Sequence, residues 1–170
     1  MMRLRALAPA DLERVWALLL QDPQANFDDD GPRTYEEFEA WMLERVQVEE
    51  IAVCELGEAL AGVMAYRPVS ERLAALHGIC FDRSVHGRGI AGEAFQRFLA
   101  SIWARGFRKV AITHFADNAR VAAFLAKQGA QQEGLLRRHV CRGGTEIDVR
   151  IAALFAPEGG DLCLSAACLR

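Results

Sequence analysis

Leu12, Val15, Trp16 and Leu19 recur at intervals of three and four, which predicts an amphipathic helix over residues 9–21. The next stretch, QDPQANFDDDGP, carries the proline, glycine and aspartate of a loop. Thr34 with Glu37 three positions on has the spacing of a capping box, and Phe38, Trp41, Met42 and Val46 form the apolar face of the helix it opens. The period then shortens. Residues 50–55 and 59–66 are short β-like runs around Leu56-Gly57-Glu58, an antiparallel hairpin, and 74–81 reads as a third strand. A glycine-bearing loop at 82–91 leads into a helix over 90–105 with Ala94, Phe95, Phe98, Leu99, Ile102 and Trp103 inward, stopped by Gly106. Residues 109–115 predict a strand, and Asn118 caps a helix that runs through Gln128 and ends at Gly129. Residues 135–141 and 145–153 flank Arg142-Gly143-Gly144, a hairpin signal. Two helices, three meandering strands, helix, strand, helix and hairpin predict an α/β fold of the α+β kind. Its sheet is mixed and mostly antiparallel, with helices on both faces. Residues 1–156 read as one domain and 157–170 as a weakly patterned tail.

Composition narrows the function classes. Hydrophobic residues make up 52% and charged residues 25% of 170, a globular balance that excludes disorder and collagen-like repeats. No apolar run reaches the ~18–20 residues of a membrane span, and the N-terminus meets charge too early for a secretory signal. A net charge of -3 supplies no broad basic surface, so neither nucleic acid nor membrane is expected as a partner. Five cysteines, an odd number without a CxxC pair, suggest no disulfide frame and no metal site, with reducing cytoplasm as the expected location. Pairing of Cys163 with Cys168 in the tail is conceivable but unforced.

The chemistry concentrates in His86-Gly87-Arg88-Gly89-Ile90-Ala91-Gly92. Glycines there let the backbone approach a ligand closely, and the loop runs into a helix N-terminus, whose unpaired amides and dipole favour an anion such as phosphate. Gly87, Gly89 and Gly92 also satisfy G-x-G-x-x-G. The dinucleotide fingerprint, however, wants its first glycine tight against a strand and an acidic residue about 20 positions later. Five residues separate Phe81 from Gly87 and no acid follows at the right place, which counts against a dinucleotide-binding domain.

In its context the loop resembles the pyrophosphate loop of the GNAT acetyltransferase superfamily, with His86 where Gln or Arg is usual. The stretch from Asn118 to Gly129, with Lys127 and Phe124 in step, is similar to a second conserved block of that family. The segment from Glu133 through the Gly-Gly hairpin to Asp148 looks like the ending of its Rim-type branch. This resemblance implies an N-acetyltransferase that moves acetyl from acetyl-CoA directly to a primary amine in a ternary complex, without a metal. The acceptor would be a small molecule or a protein N-terminus; a homodimer is left open. Acetyl-CoA would lie where two parallel strands, ending at Phe81 and Phe115, splay apart. Ile79, Cys80 and Phe81 would pair with the pantetheine arm, and His86, Gly87, Arg88, Gly89, Ile90 and Ala91 would hold the pyrophosphate. Asn118 would bond the pantetheine, with Arg120, Phe124 and Lys127 toward the nucleotide.

For the chemistry, the family's usual strand glutamate position holds Ala75 and its usual tyrosine acid position holds Leu125. His77 is two residues beyond Ala75 and so on the same strand face, where an imidazole, ordinarily titrating near 6.5, suits proton removal. The competing reading is a half-buried histidine bonded to a carbonyl. His114, at the end of the other splayed strand, is the second candidate base. Cys80 reads as a buried strand residue rather than a nucleophile. Asp28-Asp29-Asp30 is either an ordinary wet acidic loop or an attractor for a cationic amine. The alternative function is a non-catalytic acyl-CoA-binding module that has lost acid and base.

Overall fold

Strands β1 (Met2–Ala6), β2 (Glu50–Leu56), β3 (Ala59–Pro68), β4 (Leu73–Phe81), β5 (Lys109–Phe115), β6 (Gln131–Arg142) and β7 (Thr145–Phe155) form one sheet in the order β1-β2-β3-β4-β5-β7-β6. The computed structural model describes residues 1–158, so Cys163 and Cys168 lie outside the described residues. Helices are α1 (Leu12–Leu19), α2 (Pro23–Asn26), α3 (Tyr35–Arg45), α4 (Ile90–Ala104) and α5 (Ala119–Lys127). The class is as expected: a mixed, mostly antiparallel sheet between helices. Three elements differ from the sequence reading. β1 was not foreseen, a one-turn helix, α2, interrupts the predicted loop, and β6 begins at Gln131 rather than 135.

Strand alternation fills both faces. Along β3, Val63 and Ala65 join Val15, Leu18, Phe38 and Met42 of α1 and α3 on one side. Met64 and Tyr66 join Phe95, Phe98 and Ile102 of α4, with Leu125 of α5, on the other. Two-sided burial is why β2 and β3 read as nearly unbroken apolar runs rather than as alternating ones. Each fully buried aromatic or aliphatic side chain adds about 1.5–3 kcal/mol, so the sheet is anchored firmly enough to carry an irregularity at its centre.

That irregularity lies between β4 and β5, the only parallel neighbours among the described residues. Their pairing runs from Leu73↔Lys109 to Leu76↔Ile112 and stops. Beyond it β4 stays with β3 as far as Gly62↔Phe81, and β5 stays with β7 as far as Phe115↔Val149. The two strands therefore part, and the β5-facing backbone of Ile79–Phe81 has no strand neighbour. At the same level β4 carries a bulge. Ala65 faces Gly78 and Tyr66 faces Leu76, which leaves His77 as the extra residue. A bulge kinks its strand and re-aims a side chain, here one residue past the point where β5 departs.

Candidate active site

A groove of about 330 Å³ runs from the parted strands to the start of α4. Ile79, Cys80 and Phe81 line it from β4; His86, Gly87 and Ala91 line it from the loop and first turn of α4; Asn118, Arg120, Phe124 and Lys127 line it from α5. Arg88, Gly89 and Ile90 belong to the loop but not to the groove wall, and Arg88 bonds the Ser84 carbonyl at 3.3 Å. Gly87 and Gly89 have φ of +72° and +78°, a region side-chain-bearing residues rarely adopt. A Cβ at either would enter open space. Gly89 N-caps α4, whose opening amides have no backbone carbonyl to bond among the described residues. His86 fixes the loop from behind: its Nε2 donates to the Phe81 carbonyl at 3.0 Å. The Phe81 ring lies over Gly62, where a Cβ would come within 2.4 Å of it. Asn118 accepts from the Val121 amide at 3.1 Å through Oδ1, which leaves its NH₂ for the groove.

Part of the wall was invisible in the sequence. Gln21, Asp22 and Asn26 line the groove from the α1–α2 region. Gln21 donates to Asp82 at 2.6 Å and accepts from the Arg83 amide at 3.1 Å, tying the end of α1 to the start of the glycine loop. Asp22 pairs with Arg120 at 2.6 Å. These contacts span 61 to 98 residues, and nothing local signals them.

At the parting of the strands a second opening of about 340 Å³ is lined by His77, Thr113, His114, Asn118, Asp28 and His139. It brings the two candidate bases together. His114 donates Nδ1 to the Phe115 carbonyl at 3.0 Å. His77 bonds through Nδ1 to Glu49 Oε1 at 2.7 Å, a carboxylate rather than a carbonyl. Ala75 pairs with Arg67 and Ala111 in the closed part of the sheet and lines neither opening. His139 was not foreseen; it follows Arg138, whose φ of 52° marks the irregular stretch of β6 between Leu136 and Val140. Of the three aspartates, Asp28 faces the opening, while Asp29 accepts from the Gly143 and Gly144 amides at 2.7 and 3.3 Å and so braces the β6–β7 turn.

The arrangement is a groove with glycine amides and cations at one end and imidazoles at the other, joined where parallel strands separate. The model of the acetyltransferase (GNAT) domain matches residues 2–131. The chain belongs to the GNAT acetyltransferase family. Similar solved structures include the acetyltransferase from Salmonella typhimurium that modifies the N-terminal serine of ribosomal protein L7/L12. It has TM-score 0.80 and 19% identity, over 92% of this chain and 95% of that one. RimL, a ribosomal L7/L12 α-N-protein acetyltransferase in complex with coenzyme A, has TM-score 0.78 and 20% identity, over 91% and 93% of the chains. The Escherichia coli ribosomal-protein-S18-alanine N-acetyltransferase has TM-score 0.73 and 16% identity, over 95% and 97%. A search of curated protein sequences found no match.

As a GNAT acetyltransferase the chain uses acetyl-CoA, and the groove fits it: amides and arginines for phosphates, a strand edge for pantetheine. Two features limit the chemistry. Leu125 is 2% exposed and belongs to the core, so its position offers no group to the site. The chain's two tyrosines, Tyr35 and Tyr66, line neither opening. Tyr66 is buried against Phe98 and Phe107, and burial pushes its phenol up to about 12. Burial likewise pushes the Cys80 thiol up to about 11. The neutral thiol is therefore the form at neutral pH, as for a buried strand residue.

Proposed function

We propose that the protein acetylates the α-amine of a peptide or protein N-terminus by direct transfer, with His77 as proton acceptor and His114 in a lesser role. The observation that carries this reading is the meeting of the groove with the imidazole-lined opening at the point where β4 and β5 part. Acetyl-CoA supplies an electrophilic thioester carbon. An imidazole takes one proton from the acceptor ammonium. The freed nitrogen lone pair bonds the acetyl carbon as the C–S bond breaks, and the second nitrogen proton neutralises the leaving thiolate. An α-amine has an ordinary pKa near 8, so it needs less help from a base than a lysine or polyamine amine does. The relatives that act on ribosomal-protein N-termini support this acceptor class. The loop residues Gly87–Ala91 are proposed to hold the pyrophosphate, with Arg120, Phe124 and Lys127 of α5 toward the nucleotide and Asn118 with Ile79–Phe81 along the pantetheine.

Residues 1–156 act as the single catalytic domain in this reading. The free thiols of Cys54, Cys80 and Cys141 accord with a cytoplasmic setting, and no helix among the described residues is long and apolar enough to cross a membrane. The absence of a tyrosine from either opening favours a second reading, a module that binds acyl-CoA without turnover.

Two measurements decide. Coenzyme A at a hundredfold excess over its Kd adds about 2.7 kcal/mol to the native state, a rise in Tm of about 5–10 °C at this length. Gly89→Asp abolishes that rise, because it puts a negative side chain at a left-handed position before α4; an unchanged rise would remove the loop from the site. Thiol release is then followed with acetyl-CoA and a panel of peptides with free N-termini, spermidine and an aminoglycoside. Turnover fastest with peptides supports the reading, turnover with the small amines alone transfers it to them, and binding without any turnover leaves the non-catalytic module.

A further inference from the structure

Glu49 sits just beyond α3, its side chain 4% exposed, and both of its oxygens are engaged. Oε1 meets His77 Nδ1 at 2.7 Å. Oε2 accepts from Arg45 Nε at 2.9 Å and lies 2.7 Å from Arg45 Nη2. Arg45 is fixed in turn by the face of Trp41, 4.1 Å from the ring centroid, and its carbonyl accepts the Glu49 amide at 2.8 Å. We infer that Arg45 and Glu49 position His77 as the proton acceptor, holding its Nδ1 so that Nε2 is presented to the acceptor amine. The inference rests on the acetyl-transfer reading above and adds two positioning residues to it.

The argument runs from the carboxylate outward. Burial raises the Glu49 pKa, but the bonds from His77 and the charge of Arg45 outweigh it and hold the carboxyl below the usual range. An ionised carboxylate only accepts hydrogen bonds, so the hydrogen between Glu49 and His77 belongs to Nδ1. Neutral imidazole then has its lone pair at Nε2, which has no hydrogen-bond partner among the described residues. His77 stands at the bulge of β4 and lines the opening between the parted strands. When Nε2 takes a proton, the charge gained on the ring faces a carboxylate already in place. Arg45 balances that carboxylate, so the base is oriented without being locked in its charged form. This is the division of labour by which a buried acid orients a catalytic histidine. The other titratable groups sharing the opening with His77 are Asp28 from the loop before α3, His114 of β5 and His139 of β6, and Cys80 of β4 shares with it a smaller pocket toward α3. Only His77 has a buried carboxylate behind it; His114 is fixed by a backbone carbonyl, which supplies no counter-charge.

A positioning role predicts opposite effects at the two ends of the chain of contacts. With the fastest acceptor of the panel, Glu49→Gln should lower kcat about 10–10²-fold at neutral pH, leave the acetyl-CoA KM unchanged, and move the rising limb of the pH–rate profile to lower pH. Arg45→Gln should move that limb to higher pH, because the carboxylate is then balanced by the imidazolium alone. Folded variants with unmoved limbs overturn the inference. If His77→Gln is inactive in the same assay, the base assignment survives that failure; if His77→Gln is fully active, the assignment itself is lost. A second measurement needs no acceptor. Nitrogen-15 spectra of the whole protein, with the His77 signals identified by their loss in His77→Gln, should show the neutral ring protonated at Nδ1. A ring protonated at Nε2 overturns the inference.

Discussion

Asp11 and Glu49 are buried to the same depth, each side chain 4% exposed, and each is met by an arginine. Around Asp11 every partner carries a fixed group. Arg5 donates to both oxygens, at 2.6 and 2.8 Å, the Ala8 amide donates at 2.9 Å, and Arg5 also reaches Glu55 at 2.6 Å. The cluster fastens β1 and β2 to the turn before α1, and it lines none of the openings described above. Around Glu49 one of the two partners is a histidine, the side-chain type that ordinarily changes charge near neutral pH, and that histidine borders an opening. A buried acid paired with arginine is therefore no mark of function by itself. What separates the two clusters is whether the remaining partner is titratable and has somewhere to pass a proton.

The largest effect on stability is expected at Asp11. Asp11→Ala leaves the Ala8 amide without its acceptor and Arg5 with Glu55 as its remaining carboxylate, which should cost about 3 kcal/mol and lower Tm by about 6–12 °C at this length. Thiol release per folded molecule should not change; a fall in turnover without a fall in Tm would put Asp11 in the chemistry. The reverse pattern is expected at His77. His77→Gln should reduce kcat/KM about 10²-fold at neutral pH, or about 2.7 kcal/mol of barrier, while the Tm rise given by acetyl-CoA persists. His114→Gln should cost less, since no acid backs its ring.

The same contrast explains what the sequence made legible. The helices that bury one stripe announce themselves by period and cap: Thr34 accepts from the Glu37 amide at 3.2 Å, as the T-x-x-E spacing implies. The glycine loop was readable because positive φ demands glycine. β1 was passed over although Met2, Leu4 and Ala6 alternate with Arg3 and Arg5, because so short a run carries little weight until it pairs with β2. The bulge at His77 was not readable, because an extra residue leaves the apolar pattern of β4 unbroken. Glu49 is 28 residues from His77 and reads locally as one more glutamate after a helix. Partners of that kind exist only once the sheet and α3 have met.

Acid titration sharpens the comparison at smaller amplitude. Bonds from Arg5 hold the Asp11 carboxyl below its ordinary range, against burial, and Glu49 is held low as described. A carboxyl with a depressed folded pKa contributes stability that is fully present above its unfolded value and lost as pH falls through the folded one. Both contributions are thus complete at neutral pH and fade below about pH 4. The Tm gap between the native protein and Asp11→Asn should be constant from pH 8 to pH 6 and narrow toward pH 3. A gap that widens in acid would reverse the sign of the Asp11 assignment.

The smallest effect is expected at Asp28. Asp29 is committed to the Gly143 and Gly144 amides, whereas Asp28 faces the opening that holds His77, His114 and His139. Asp28 also accepts the Asp30 amide through Oδ1 at 3.2 Å, which steadies the loop and leaves its charge toward the opening. The part we propose for it is long-range attraction of a cationic acceptor. Such attraction is worth about 1 kcal/mol at 4 Å in water and is screened over about 8 Å at physiological salt. Asp28→Asn keeps the shape and the hydrogen-bond acceptor but removes the charge. The acceptor KM should rise about threefold in dilute buffer, with kcat and the acetyl-CoA KM unchanged, and the difference should vanish near 1 M salt. Asp30→Asn is the matched control, since Asp30 does not line the opening, and should leave every constant as it is. A threefold loss in Asp28→Asn that persists at high salt would mean direct contact with the acceptor, and Asp28 would then belong with the histidines rather than with the field around them.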